Sequence, residues 1–354
     1  MLDIQNIFKI LNYNKFISFL TLQMEKNPLL EHVLLYEVSS ETFSHFSEAS
    51  LQLKRLKGFH IRNLETTSDL FESSISKIFH SRNTIEVLSI QSCPQFNNVS
   101  VKKCTGLHAI TLMNTSVTEK GLISLMEINP RLESIEIDTC TNKVLFVMAN
   151  ICKDLSQLSL PYCFDIPGSK GIAEVIKSCK QLKTLACPCH FTINQVKETL
   201  KSLCNYNKNL EFFFYHTDET DEDNGVAKEF GLTGDENFEI YLGFKDFSQK
   251  FKKTLTSFIL SIGKSREPSN RVFISNFLQE FTVLKELELK GDFFMTWQVL
   301  ENILKSNSNL ESLHLDTLTI ITLKHCEVVL DFGRQLKFIE IVDHKKEIAP
   351  DCIR

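Results

Sequence analysis

The residues with the most chemistry to offer are Cys187-Pro188-Cys189-His190, the acids between Asp218 and Glu236, and Ile262-Gly263-Lys264-Ser265. Two thiols and an imidazole within four residues are metal-ligand types, and Cys163 and Cys204 add to them. A structural zinc site, however, takes four converging ligands, usually as paired spacings, and only one pair is offered here. The acidic run holds Asp218, Glu219, Asp221, Glu222, Asp223, Glu229, Asp235 and Glu236 against Lys228. Aligned as an EF-hand loop on Gly225, it places Thr220 first and Gly231 twelfth, where a carboxylate is required, so a calcium loop fails. Gly263-Lys264-Ser265 ends like a phosphate loop, but the glycine needed five positions before Gly263 is Phe258. No H-E-x-x-H, G-x-S-x-G or dinucleotide fingerprint occurs. His108, His190, His216 and His314 stand singly, without a neighbouring nucleophile. The sequence therefore predicts no catalytic residue, no metal ligand and no cofactor, and a chain that binds rather than catalyses.

The elements that position these residues repeat. Leu107, Ile110 and Leu112 are spaced L-x-x-L-x-L, and Leu132, Ile135 and Ile137 repeat the spacing 25 residues later. Ten further copies begin at Leu30, Leu56, Ile85, Leu155, Leu182, Leu210, Leu255, Leu284, Leu310 and Leu336. Successive first positions lie 22 to 29 residues apart, with one gap of 45 from Leu210 to Leu255, a period that fits the leucine-rich repeat. The last two apolar points alternate with polar residues, which predicts a short strand with one buried face. The other half of the repeat changes period: Leu122, Leu125 and Met126 form a helical stripe within Thr118 to Asn129, and similar stripes fall in 69–80, 171–178, 192–203 and 293–307. A strand and a helix that cannot bury their apolar sides alone must stack on neighbours. The expected fold is α/β, a leucine-rich repeat solenoid (horseshoe) of about 12 strand-helix repeats with a parallel sheet on its concave face.

Cys104, Cys152 and Cys179 sit three before a first apolar point, and Cys93, Cys140 and Cys163 three after a third. Val117-Thr118 followed by Gly121-Leu122 completes C-x-x-L-x-x-L-x-L…VT-x-x-GL. This resembles the cysteine-containing repeat of ribonuclease-inhibitor-like horseshoes, and especially the repeat region of F-box/LRR proteins, most clearly from Ile85 to Leu210. The resemblance implies protein recognition, with substrate selection for a ubiquitin ligase and ubiquitin-ligase subunits among the partners. Residues 1–29 show no F-box. In the same register Cys187 takes a core position and His190 the position that bonds loop backbone.

A solenoid grows by addition, so 354 residues need no second core, and 12 Gly and 8 Pro leave little room for a linker. The expected organisation is an N-terminal helical cap over 1–29, whose stripe runs from Ile7 to Met24, and a repeat domain over 30–354 with an acidic insertion at about 217–236. Within 217–254 a loop and a degenerate repeat are both open, with Phe238–Leu242 as a candidate extra strand. Eleven cysteines without a signal-peptide pattern point to the cytoplasm or nucleus. No apolar run approaches the roughly 20 residues of a membrane span, and a net charge of −5 argues against nucleic acid as the main partner.

In this architecture the residues between and just after the buried points face the groove. They include His32, Leu34, Tyr36, Glu136, Asp138, Phe212, Phe214, His216, Ser257, Ile259, Glu286, Glu288, Lys290, His314, Asp316, Phe338 and Glu340. A soluble solenoid needs only polar residues there, so Phe212, Phe214 and Ile259 stand out. Apolar side chains clustered on an open face mark an interaction site, unless the acidic loop folds back over them. Twelve strands at about 4.8 Å and five residues at about 3.3 Å give roughly 900 Å², near one side of a standard protein interface. The predicted site is a protein-binding groove of Phe212, Phe214, His216, Ile259, Glu286, Glu288, His314 and Asp316. The other reading is a small-ligand or effector sensor with the acidic loop as its lid.

Overall fold

The protein is described by a computed structural model covering residues 2–3, 29–64, 68–80, 85–163, 166, 168–189, 191, 193–216, 234–262, 272–273, 277–291, 293–294, 296–317 and 322–343. The chain forms two compact units, Met1–Leu160 and Pro161–Arg354.

In the first unit the strands are β1 (His32–Tyr36), β2 (Gly58–Arg62), β3 (Val87–Asn97), β4 (Ala109–Ser116), β5 (Ser134–Ile137) and β6 (Gln157–Ser159). Each begins two residues after the first apolar point of its repeat. All pair in parallel with their sequence neighbours, and like pairs with like: Val33 faces Phe59, Phe59 faces Leu88, Leu88 faces Ile110, and Ile110 faces Ile135. Leu2–Asp3 adds a two-residue parallel strand beside β1, while the expected cap helix falls outside the described residues. The residue seven after the first apolar point takes a left-handed backbone in four successive repeats, at Glu37, Asn63, Ser92 and Asn114. At Glu37 and Asn63 it follows the strand end and turns the chain off it, while Ser92 and Asn114 lie within the longer β3 and β4.

The helices of this unit are α1 (Ser40–Ala49), α2 (Ser68–His80), α3 (Asn98–Val101), α4 (Glu119–Ile128) and α5 (Asn142–Ile151). A short polar side chain starts several of them: Ser39 accepts from Thr42 N–H at 3.3 Å, Asn97 from Val99 N–H at 2.7 Å, and Thr141 from Val144 N–H at 3.4 Å. The third repeat departs from the expected pattern. Its strand runs to Asn97, eleven residues, which leaves a single turn of helix before Leu107.

In the second unit the strands are β7 (Thr184–Ala186), β8 (Phe212–His216), β9 (Ser257–Ile262), β10 (Glu286–Gly291), β11 (Ser312–Thr317) and β12 (Phe338–Asp343), again starting two residues after each first apolar point. They pair in parallel in chain order. The helices are α6 (Lys170–Ser178), α7 (Ile193–Tyr206), α8 (Gly234–Phe251), α9 (Trp297–Ser306) and α10 (Leu323–Phe332). After β9 the described residues hold only a 3-10 turn, Leu278–Glu280, and Val272–Phe273 pairs with Phe293–Phe294 in a small separate sheet.

Residues Phe238–Leu242 are helical, part of α8, and not an extra strand. The reason lies just downstream: Phe244, Phe247 and Phe251 recur at helical spacing and are buried against Phe213, Phe258 and Phe281. That stripe overrides the local strand preference of Phe238, Ile240 and Tyr241. Since β8 pairs directly with β9, no strand stands between them, and a degenerate repeat is excluded among the described residues. The acids of 217–233 lie outside the described residues.

The core points are closed to solvent: Leu35, Leu88, Leu158, Leu185, Phe213, Phe258, Leu287 and Leu313 are all 0% exposed. The cysteine positions are also core. Cys93, Cys104, Cys140, Cys152, Cys163 and Cys179 are buried free thiols. Where the residue three before the first leucine is asparagine, the side chain ties one repeat to the one before it. Asn129 accepts from Leu107 N–H at 2.8 Å and donates to Cys104 O at 2.8 Å. Asn207 donates to Leu182 O at 2.7 Å, and Asn307 accepts from Leu284 N–H at 3.3 Å.

Candidate functional site

Because side chains alternate along a strand, the residues between the core points of the second unit all stand on the sheet face away from the helices. The constant register lines them up across strands. One row runs Ala186, Phe214, Ile259, Glu288, His314, Glu340. A second runs Thr184, Phe212, Ser257, Glu286, Ser312, Phe338. His216 lies at the register position beside Ser261, and Asp316 beside Lys290. All eight sequence-predicted residues therefore fall on one continuous face, on four adjacent strands.

The side chains on this face are neither core nor loose. Phe212, Phe214 and Ile259 are half-buried, while small residues among them, Ala186 and Ser257, are nearly closed off. The polar part is held internally. Ser257 Oγ donates to Glu286 Oε2 at 2.6 Å, Lys290 pairs with Glu288 at 2.7 Å, and His314 Nδ1 meets Glu340 Oε2 at 2.8 Å. The Nε2 of His314 is covered and has no hydrogen-bond partner among the described residues.

The corresponding face of the first unit carries different chemistry. His32 and His60 approach with ring centroids 6.0 Å apart, and Arg62 lies 5.6 Å from the Tyr36 ring. Gly58 makes room for this: a Cβ there would meet His32 Nδ1 at 1.9 Å. At the other end Thr111 Oγ1 and Ser159 Oγ hold the Glu136 carboxylate at 3.1 and 3.5 Å, and Asp138 accepts from Asn114 N–H.

Burial, and secondly the charge of His32, hold the His60 imidazole below its ordinary pKa of 6.5. The unfolded chain then takes up a proton before the folded one does. Stability from this group is fully present above about 6.5 and is lost as pH falls toward the folded value. Thermal melts between pH 7.5 and 5.5 are expected to show a steeper loss for wild type than for His60→Gln. Equal slopes would show that His60 carries no such linkage.

Of the metal-like cluster, Cys187 and Cys189 stand among the core residues of the second unit. Cys187 and Cys189 are buried, and burial pushes the Cys187 thiol up to about 12, away from the thiolate that a metal needs. Cys187 N–H donates to Phe214 O at 2.9 Å, and the Tyr215 hydroxyl donates to Phe191 O at 2.6 Å. His190 lies outside the described residues, as do Gly263, Lys264 and Ser265. Phe258 is fully buried, as a strand core residue should be. No group of three potential metal ligands occurs among the described residues, and no helix among them is long and apolar enough to cross a membrane.

A cleft of about 460 Å³ in the second unit, whose lining includes Lys252, Lys253, Glu280, Asn302 and Lys305, has no counterpart among the sequence expectations. Its walls come from three separate repeats.

No protein-family description matches the sequence, and no curated protein matches it. Among solved structures, the crystal structure of the Rad7 and Elc1 complex in yeast is similar with a TM-score of 0.56 and 14% identity, over 82% of this chain and 71% of that one. The tropomodulin C-terminal domain of Caenorhabditis elegans matches with a TM-score of 0.33 and 13% identity, over 39% of this chain and 92% of that one. At such identity the first likeness speaks for fold alone. Together with twelve parallel strands set by twelve leucine signatures, it makes this chain an α/β leucine-rich repeat solenoid.

Proposed function

We propose that the chain is a non-enzymatic recognition scaffold that binds a partner protein on the open sheet face of its second unit, centred on Phe212, Phe214 and Ile259. The observation that carries this reading is the register that sets Phe214 beside Ile259 while leaving Phe212, Phe214 and Ile259 half-exposed on a polar sheet. An outward aromatic pair adds nothing to the core, and apolar surface gathered on one face is the usual mark of a docking site. Glu286, Glu288, His314 and Asp316 form its polar border.

The finer reading is substrate recognition for a ubiquitin ligase. It rests on the resemblance of the cysteine-bearing repeats to those of F-box/LRR proteins, and on the similarity of the fold to a structure in which Rad7 is in complex with Elc1. Ten described cysteines are free thiols, eight of them buried, which supports a reducing compartment, the cytoplasm or nucleus.

The test is affinity capture from a native extract, comparing wild type with Phe212→Ala/Phe214→Ala. The double variant is expected to stay folded and lose at least tenfold of its main partner, a typical effect of truncating central aromatic anchors. Recovery of ubiquitin-ligase subunits with wild type supports the finer reading. A folded double variant that keeps every partner would remove this face as the site.

A further inference from the structure

We infer that the partner segment seated on this face is a basic one: an apolar anchor on the Phe212/Phe214/Ile259 patch, followed by Arg or Lys side chains over the acidic strands beside it. This rests on the proposed docking face and names the chemistry of what docks there. Beyond Ile259 the outward positions of β10, β11 and β12 hold four carboxylates, Glu286, Glu288, Asp316 and Glu340. The one ammonium among them, Lys290, is already paired with Glu288 at 2.7 Å. Of the lysines at the strand entrances, Lys183 pairs with Glu211 at 2.9 Å and Lys337 with Glu311 at 2.8 Å, and Lys285 lies near the same Glu311, so four carboxylates stand against Lys290 and Lys285. An incoming anion would have to displace a carboxylate. An incoming cation finds the Glu340 carboxylate, 49% exposed, an acceptor for Arg and Lys, which are donor-only groups.

Geometry sets a spacing. Glu288 stands two strands from Phe214, and Glu340 stands four. At about 4.8 Å per strand these are roughly 10 and 19 Å, or about three and six residues of an extended chain crossing the sheet. The preferred segment has an apolar residue separated by about three and six positions from basic ones, in either direction. Nothing in this pattern depends on a helical partner or a nucleic acid, whose phosphates the four carboxylates would repel.

The experiment is selection of a displayed library of random twelve-residue peptides against the full chain. Enriched peptides are expected to carry a net positive charge and an apolar residue at that spacing. Their affinity should drop at least tenfold with Phe214→Ala, and fall further from 0.05 to 0.5 M salt as charges are screened. Glu288→Lys/Glu340→Lys should switch selection toward acidic peptides, while Glu127→Lys on the helix side of the first unit leaves it unchanged. Glu340→Gln alone, at a half-exposed position, serves if the double charge reversal does not fold, and should weaken basic peptides about threefold. Enrichment of neutral or acidic peptides, no enrichment, or basic peptides indifferent to Glu288 and Glu340 would overturn the inference. If such peptides still need Phe214, the docking face stands and only its charge preference fails. Peptides indifferent to both Phe212 and Phe214 would overturn the docking face as well.

Discussion

Phe258→Ala is expected to destabilise the second unit by about 3–5 kcal/mol, among the largest effects a single side chain can have. Phe258 is fully buried on β9, with the rings of Phe213, Phe244, Phe247, Phe277 and Phe281 at centroid distances of 6.0, 6.3, 6.3, 6.0 and 5.9 Å. Truncation removes one ring from contact with five others, and a closed stack cannot collapse to fill the space. The neighbouring outward residues offer an internal control. Phe214 lies one position along β8 from Phe213, yet its truncation leaves a gap open to solvent and should cost less than about 1 kcal/mol. The single Trp297, at the start of α9, reports unfolding of this unit by fluorescence in denaturant. Similar losses for Phe258→Ala and Phe214→Ala would mean that inward and outward positions on these strands are assigned the wrong way round.

The second large effect is Asn129→Ala, expected to cost the first unit about 2–5 kcal/mol although it removes a polar side chain. Asn129 is 2% exposed and makes three hydrogen bonds: from Leu107 N–H to Oδ1, and from Nδ2 to Cys104 O and Leu125 O. Leu125 O keeps a partner after truncation, since it also accepts from Asn129 N–H at 3.1 Å. Leu107 N–H and Cys104 O do not, and each buried orphan costs about 1–3 kcal/mol. Cys152→Ala, at the same position of the next repeat, removes a single buried sulfur and should cost about 1 kcal/mol. Hydrogen exchange checks the mechanism: the Leu107 amide should lose protection in Asn129→Ala before the strand amides do. Retained protection at Leu107 would disprove the bridging role.

How much of this was readable in advance differs between strands and connections. Twelve strands lie two residues after twelve leucine signatures, because a buried point in a stack has no alternative address. The outward residues followed from alternation alone, so Phe214, Ile259, Glu288 and His314 could be placed on one face without their neighbours being known. Connections are less constrained. Phe238–Leu242 has a strand's local composition, and only the later phenylalanines Phe244, Phe247 and Phe251 show that the segment is a helix. In the third repeat the strand runs on to Asn97 and the helix is one turn. The asparagine bridges were hidden by substitution: Asn129, Asn207 and Asn307 occupy the place where Cys104, Cys152 and Cys179 stand in other repeats, and the shared cysteine drew the eye from the shared position. The lysine cleft, assembled from distant repeats, has no linear signature at all.

The unbroken pairing of like positions turns the outward surface of each sheet into a lattice of independent cells. Every cell is set by one codon, its four neighbours are known beforehand, and the scaffold beneath is indifferent to its content. A lineage carrying such a surface can exchange one specificity for another in single substitutions, without crossing a valley of unfolded intermediates.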